Sequence, residues 1–541
     1  MKVLLINPDF PPSFWSFEGA LKLLGVKSFL PPLGLLTVAA LLPQEWEFRL
    51  IDREFEDVSE DDWAWAEMVV LTGMIVQRSD MLDLIRQGKQ RGKTVVVGGP
   101  YAMSLPNEVL EAGADFAVLD EGELTIPMFL EALERGETSG TFTANGQKAD
   151  MTTSPLPRYD LIDVKNYNTM SIQFSRGCPF LCEFCDIITL FGRRPRTKTP
   201  AQIRAELDQI YATGWRGGVF MVDDNFIGNR LTVKPMLEEV IDWQREHNFP
   251  FTFTTEASVD LAEAPELMKQ MRLANFVTVF VGIESPDEES LVHIKKKQNV
   301  RGSLIDRVKT INASGLKIMG GFIIGFDGEK SGADKRILEF VEEAQIPIVT
   351  VSLLQALPKT ALTDRLRAEG RLLEDDADAD LNSSSLTNFV PTRPLSELAR
   401  EQASIYQELY DPKRFIERAF HHNMATKDGI FPTKGMPPSS LPRNSVQVFA
   451  FLKVLMNQGV IRSSRVAFWR GLFSLFRHNK PAVKGYISMM GLYEHLYKFK
   501  NDVRVEMTSQ IAQLSEQDRT RVWPPPPPEL TAPTKAGAKA G

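Results

Sequence analysis

The chain has 541 residues, 43% hydrophobic and 24% charged, with a formal net charge of −8. That length is too great for one hydrophobic core and suggests about three domains, while the acidic balance argues against whole-molecule attraction to nucleic acid. Its three cysteines, Cys178, Cys182 and Cys185, sit together, which excludes a disulfide framework and points to a metal or redox site in a reducing cytoplasm.

The first residues, Met1–Ile6, form a short apolar run ended by Asn7-Pro8. The run lacks the length and cleavage site of a secretory signal and reads as a first β-strand. No uninterrupted apolar stretch of the sequence is long enough to span a bilayer. Across residues 1–135, apolar runs alternate with amphipathic segments. Strands are predicted at Lys2–Ile6, Glu47–Ile51, Met68–Thr72, Thr94–Val97 and Phe116–Leu119, with helices at Gly34–Leu42, Ser79–Arg91 and Glu123–Arg135. This pattern predicts a doubly wound parallel sheet covered on both faces. Such a sheet binds ligands at the carboxyl ends of its strands. The residues there are Asn7-Pro8, Thr72-Gly73-Met74, Gly98-Gly99-Pro100 and Asp120-Glu121-Gly122-Glu123. Glycines at these ends let a bulky ligand approach the backbone, although paired glycines after a strand also serve simply to close a turn.

Residues 136–168 are polar and turn-rich and read as a linker. From 169 to 355 the alternation resumes, with strands predicted at Ser171–Ser175, Gly218–Val222, Phe251–Thr255, Thr278–Gly282, Lys317–Ile324 and Ile348–Leu353. The run Ser175-Arg-Gly-Cys-Pro-Phe-Leu-Cys-Glu-Phe-Cys-Asp186 follows the first of them and spaces its cysteines C-x3-C-x2-C. Three thiolates on one short loop suit three irons of a [4Fe-4S] cluster and leave the fourth iron open. A zinc site would want a fourth Cys or a nearby His, and the nearest is His247. Residues 356–523 lose the strand pattern and read as mainly helical. Within them, Arg462–Arg477 sets arginines beside Trp and Phe, which suits either a membrane surface or packing on the barrel with the arginines outward. Residues 524–541 are Pro-, Ala- and Lys-rich and read as a disordered tail.

The three-cysteine loop resembles that of radical S-adenosylmethionine (SAM) enzymes. Together with the sheet ahead of it and the helical end, the chain resembles the cobalamin-binding, hopanoid-methylase-like group of that family over residues 1 to about 500. The resemblance implies a partial (β/α)6 barrel between the cobalamin-binding sheet and the helical domain. It implies three cofactors: a [4Fe-4S] cluster on Cys178, Cys182 and Cys185, SAM, and cobalamin. SAM contacts implied by position are Phe184 and Gly325 for the adenine, Asp223, Asp224 and Asn225 for the amino group, and Glu256 and Glu284 for ribose or substrate. Asp223–Asn225 also suit an Asx-turn at a strand end. The basic run Arg193–Lys198 suits the SAM carboxylate, an anionic substrate or a solvated loop.

Cobalamin contacts implied are Asn7, Thr72, Gly73, Met74, Gln77, Gly98, Gly99, Ser104, Gly122 and Glu123. The chain departs from classical cobalamin proteins in one respect. It lacks their cobalt-ligating histidine, since no His precedes His247; residues 74–77 are the expected cover for the lower cobalt face. The implied activity is radical C-methylation of an unactivated carbon in a small-molecule, lipid-like substrate using two SAM molecules. An outside electron donor such as flavodoxin or ferredoxin is expected, as is a cytoplasmic location with peripheral membrane contact. The rivals are oxidation or cyclisation of a tetrapyrrole or other small molecule, tRNA methylthiolation, for which three further cysteines are missing, and a non-enzymatic sensor.

Overall fold

The computed structural model describes residues 1–373, 384–425 and 445–523. The expected disordered tail at 524–541 lies outside the described residues.

The first sheet contains β1 (Lys2–Asn7), β2 (Glu47–Asp52), β3 (Met68–Thr72), β4 (Thr94–Gly98), β5 (Phe116–Val118) and β6 (Gly140–Phe142), in the order β2-β1-β3-β4-β5-β6. Every pairing is parallel. β1 and β3 bury nearly every side chain, as strands covered by helices on both faces must. The strand order reverses between β1 and β3, so the crevice that such sheets offer to ligands opens beside Asn7 and Thr72. The stretch 136–168, read from sequence as a linker, contributes β6 to this sheet. Its three residues are too few for a periodicity signal.

The second sheet is β7 (Thr169–Ile172), β10 (Gly218–Met221), β11 (Thr252–Glu256), β12 (Phe276–Glu284), β13 (Lys317–Ile324) and β14 (Ile348–Leu353), again all parallel. A separate two-stranded antiparallel ribbon pairs β8 (Ser175–Arg176) with β9 (Arg196–Thr197). The predicted strand Ser171–Ser175 is therefore two pieces: β7 ends at Ile172, and Ser175 belongs to the ribbon.

A six-stranded partial barrel has two open edges, and both are covered. At the start of β7, residues 27–29 run parallel to residues 166–169, with N–H groups of Asn168 and Thr169 donating to the Ser28 and Phe29 carbonyls at 3.0 and 3.1 Å, and further along the Tyr159 hydroxyl donates to the Ser171 carbonyl at 2.6 Å. Residues 27–29 belong to the long excursion between β1 and β2. Along β14, the hydroxyls of Tyr406 and Tyr410 accept the Val351 and Val349 N–H groups at 3.0 Å each, and the Gln402 amide donates to the Val351 carbonyl at 3.0 Å. Side chains from the helix Leu395–Leu409 and its cap thus finish the ladder that β14 lacks. An uncovered edge would offer a template for intermolecular pairing.

The helical region packs on this face through Leu395–Leu409, Pro412–Ala425 and the long helix Val483–Gln513. His422, on the second of these, is buried, with Nδ1 3.1 Å from the Gln345 carbonyl. Burial, with Lys317 nearby, pushes its pKa down to about 3. The unfolded chain therefore binds a proton below pH ~6.5 that the folded chain refuses. Stability is fully present above that pH and falls as pH drops towards 3, by about 1.4 kcal/mol per pH unit from this group. Chemical denaturation of His422→Phe between pH 4 and 7 should show a flatter pH dependence than wild type; equal slopes would remove His422 as the cause.

Candidate functional site

The cysteine loop hangs from the residues after β10. Asp223 accepts the N–H groups of Phe174 and Ser175, both at 2.8 Å, and the Ser175 hydroxyl at 2.6 Å. Asp224 accepts the Gly177 N–H at 2.7 Å. Gly177 has φ +96°, and a Cβ there would lie 2.8 Å from the Gly192 carbonyl, so only glycine lets the loop turn here. Cys178 donates its N–H to that same carbonyl at 3.2 Å. The amide nitrogens of Asn225 and Gln298 each lie 3.8 Å from a thiol, on Cys178 and Cys182 respectively. Glu183, between the last two cysteines, is buried against Arg365 at 2.7 Å. Phe184 tilts against Phe326 at 6.1 Å, with the Lys296 ammonium 5.9 Å from its ring centre.

Cys182 is buried, and Cys178 and Cys185 are half-buried. Burial pushes the Cys178 and Cys185 thiols up, and the neighbouring thiols add to this. Three soft donors in a dry loop, two facing amide N–H groups, fit an iron–sulfur cluster whose irons supply the positive charge the thiolates lack. Among the described residues, no three His, Cys, Asp or Glu side chains converge on a point that one metal ion would fill.

Beside the loop lies a group of carboxyls. Burial raises Asp223 to about 7, Asp224 to about 6 and Glu256, at the end of β11, to about 8, with the two aspartates adding to the last. Glu256 forms no ion pair among the described residues. Asn225 reaches the Ser258 hydroxyl at 3.2 Å on the same rim. A bound cationic amine would relieve this like-charge crowding, which fits the amino group of SAM. The structure separates the four expected rim acids. Asp223 is taken up by backbone, and Glu284 is buried in an ion pair with Lys296. Glu284 also sits at φ +65°, an uncommon backbone for a residue with a side chain. Gly325, after β13, turns at φ +103° and donates its N–H to Glu329 at 2.8 Å; Glu329 pairs with Arg393 at 2.9 Å.

The rim of the first sheet is tightly braced. Asn7 donates to Asp52 at 2.8 Å, and Asp52 accepts the Tyr167 hydroxyl at 3.0 Å. Ser104 is buried at the end of the helix Gly99–Ser104. Gly73 faces Gln77, whose amide donates to the Pro8 carbonyl at 2.5 Å and accepts the Met74 N–H at 2.9 Å. Gln77 is thus buried and bonded at both ends, and Met74, 52% exposed, is the member of residues 74–77 that faces out. The glycine pair answers first to its own chain. A Cβ on Gly98 would lie 2.9 Å from the Val118 carbonyl, and one on Gly99, at φ +85°, would overlap the Thr72 hydroxyl. Gly99→Val is therefore expected to lose cobalamin retention together with thermal stability, measured on the same reconstituted sample. Loss of binding with unchanged stability would mean that the glycine serves the ligand alone.

Gly122 opens the helix Gly122–Glu134 and packs near Leu41. Glu123 faces the cysteine ribbon instead of the crevice. Glu121 and Glu123 both pair with Arg176 at 2.9 Å, and Glu121 pairs with Arg196 at 2.8 Å, with all four side chains largely buried. The signal was present in sequence as an acidic run at 120–123 and a basic one at 193–198. Nothing in spacing showed that they meet. That basic run divides: Arg196 and Lys198 are paired inside, Lys198 with Glu206, while Arg193 and Arg194 are exposed.

Two further contacts cross between the parts. Trp15, on the excursion after β1, packs edge-on against Phe280 of β12 at 5.2 Å. His495 reaches the same excursion, but its Nε2 lies 3.0 Å from the Phe14 carbonyl and its ring stacks on Phe499. This histidine is thereby engaged with the excursion and the long helix.

Residues 23–130 match the B12 binding domain, residues 172–341 the Radical SAM superfamily and residues 360–509 a domain of unknown function. An uncharacterized methyltransferase of Synechocystis sp. is 52% identical over 96% of both chains. The hopanoid C-2 methylase of Rhodopseudomonas palustris is 34% identical over 92% of this chain and 93% of its own. Among solved structures, the cobalamin-dependent radical enzyme OxsB, with aqua-cobalamin and SAM bound, shares the fold at a TM-score of 0.57 and 17% identity, over 96% of this chain and 82% of that one.

Proposed function

Because the chain belongs to the cobalamin-binding radical SAM methyltransferases, whose cofactors are a [4Fe-4S] cluster, SAM and cobalamin, we propose that it methylates an unactivated carbon of a large, mostly apolar small molecule. The observation that carries the substrate class is the aromatic contact between the two cofactor-binding parts. Trp15, 41% exposed, meets Phe280, whose neighbours on the same strand face are Gly282 and Glu284. Phe17 and Phe29 lie behind Trp15. Such a wall favours a flat hydrocarbon over a charged metabolite, and it suits the hopanoid substrate named for the Rhodopseudomonas relative.

In this reading Cys178, Cys182 and Cys185 hold the cluster. Asp224, Asn225 and Glu256 receive the amino group of SAM, while the backbone at Gly325 and the Phe184 ring receive its adenine. The rim at Asn7, Thr72–Met74 and Gly98–Gly99 receives cobalamin. When bound, cluster and SAM together supply a radical that removes hydrogen from carbon, and cobalamin supplies the methyl group. The chain's own residues orient and shield. Asp223 and Asp224 fix the cysteine loop, Glu121 and Glu123 tie it to the first sheet, and Trp15 and Phe280 exclude water beside the reacting carbon. No histidine is needed as acid or base along this route.

Anaerobic incubation with methyl-labelled SAM, a reductant and a host lipid extract should give a lipid product heavier by one labelled methyl group. It should also give 5′-deoxyadenosine and demethylated SAM in equal amounts, one of each per methyl transferred. A product that is oxidised or cyclised without label would overturn the methylation, and label recovered only in water-soluble products would overturn the substrate class.

A further inference from the structure

One surface of the helical region is unlike the rest of the molecule. From Ser445 to Tyr493 the sequence holds seven lysines and arginines and not one aspartate or glutamate, in a chain of net charge −8. The same segment is where apolar side chains come to the outside. Of the twenty-one large hydrophobic residues exposed among the described residues, ten fall between Val448 and Phe476.

The two observations describe one structural unit. The helix Ser445–Met456 runs into a π-helical turn, Asn457–Ile461, and the helix Arg465–His478 follows. Trp469 ties the second helix to the π-helical turn. Its indole N–H donates to the Gly459 carbonyl at 2.9 Å, and its ring fills the space where a Cβ on Gly459 would sit, 2.9 Å away. One side of the unit is ordinary core, with Phe468 and Leu475 fully buried. Elsewhere on the unit Phe449, Leu452, Ile461, Val466, Phe473 and Phe476 are each more than half exposed. Helical spacing sets Val466, Phe473 and Phe476 in one stripe, with Arg470 and Arg477 along its edge. Arg465, Arg470 and Arg477 are exposed and form no ion pair among the described residues.

We propose that this pair of helices, joined through the π-helical turn, is a membrane-docking surface that lies in the interface of an anionic lipid bilayer. Monomeric proteins rarely expose contiguous apolar patches of this kind without a partner. The charge selects the partner. Glu494 neutralises Arg462, but a second copy of the same face would still bring the exposed, unpaired Arg465, Arg470 and Arg477 against their counterparts, so self-association through it is opposed. An anionic bilayer offers headgroups to the arginines and a hydrocarbon boundary to the phenylalanines. No described helix is long and apolar enough to cross a membrane, so the contact is in-plane. The argument rests on exposure and charge alone and stands independently of the substrate.

Flotation of the purified full-length protein tests it without turnover, so its failure leaves the methyltransferase reading untouched. The protein should float with vesicles of phosphatidylglycerol and phosphatidylcholine at low salt and remain below with pure phosphatidylcholine. Changing Arg465, Arg470 and Arg477 to Glu should weaken partitioning by roughly a hundredfold or more. Phe473→Ser with Phe476→Ser, both exposed positions, should also release the protein from anionic vesicles, with an unchanged thermal midpoint showing that Trp469, on which Phe473 stacks, keeps its place. Wild type staying below with anionic vesicles, or both variants floating as wild type does, overturns the proposal. A wild-type dimer that the Phe473→Ser, Phe476→Ser variant dissolves would assign the face to a second copy of the chain and overturn it equally.

Discussion

Replacing any one of Cys178, Cys182 or Cys185 with alanine is expected to abolish reductive cleavage of SAM, while the chain stays folded. The reason is count. The chain has three cysteines, and a cluster with an open iron needs all three. Anaerobically reconstituted wild type should bind about four irons per chain, as that cluster type requires. Each variant should bind fewer and release no 5′-deoxyadenosine. Stability should change little in the apoprotein, because the loop is held by Asp223, Asp224 and Glu183 and not by its thiols. Full SAM cleavage by any single variant would remove that cysteine from the cluster.

A second large effect is expected at Arg176. Its guanidinium stands between Glu121 and Glu123, whose side chains are 1% and 3% exposed. Arg176→Leu would leave two carboxylates buried side by side, with Arg196 the remaining cation on Glu121 and the Ser154 hydroxyl the remaining donor to Glu123. Removing one partner of a buried ion pair costs about 3–5 kcal/mol. The urea midpoint should fall accordingly, and cluster retention should fall with it, since Arg176 opens the cysteine ribbon. The pH dependence discriminates. Burial opposes charge on Glu123, yet Arg176 outweighs it and holds the carboxyl below its usual range. Wild type therefore carries this stabilisation above the ordinary carboxylate pKa and loses it as pH falls through the lowered one. The variant should instead gain stability on acidification, as the stranded carboxyls take up protons. An unchanged midpoint at neutral pH would show that the network contributes nothing.

The alternation of strands and helices was legible in the sequence because strands covered on both faces read as unbroken apolar runs. Lys317–Ile324 and Ile348–Leu353 agree with the structure to the residue. The cysteine spacing was legible because ligands on one loop are close in sequence. What failed to show were tertiary contacts, both within the first domain and across to the barrel. Glu123 was expected at a ligand and stands at an ion pair. Gln77 was expected on an open face and is consumed by Pro8 and Met74. Gly98 and Gly99 were read as room for a ligand, and their space is already occupied by Val118 and Thr72. In each case the residue type was informative, but a deciding partner (Arg176, Pro8, Val118 or Thr72) lay about 20 to 70 residues away, where local pattern carries no signal. β6 and the ribbon of β8 and β9 escaped for a simpler reason: two or three residues have no period.

The covered edges of the barrel bear on how the chain can be handled and how it is built. On the ribosome the excursion that carries Ser28 and Phe29 emerges well before β7, so the first edge has its cover waiting. The second does not: β14 leaves the ribosome ahead of Gln402, Tyr406 and Tyr410, and its ladder stands open until some fifty further residues follow. During that interval the nascent barrel is an adhesive surface, and any fragment ending near residue 355 makes the interval permanent. Fragments cut at the apparent domain boundary should therefore be recovered as aggregates even though the barrel's interior is complete, and a cleanly behaved truncation would have to end beyond Tyr410.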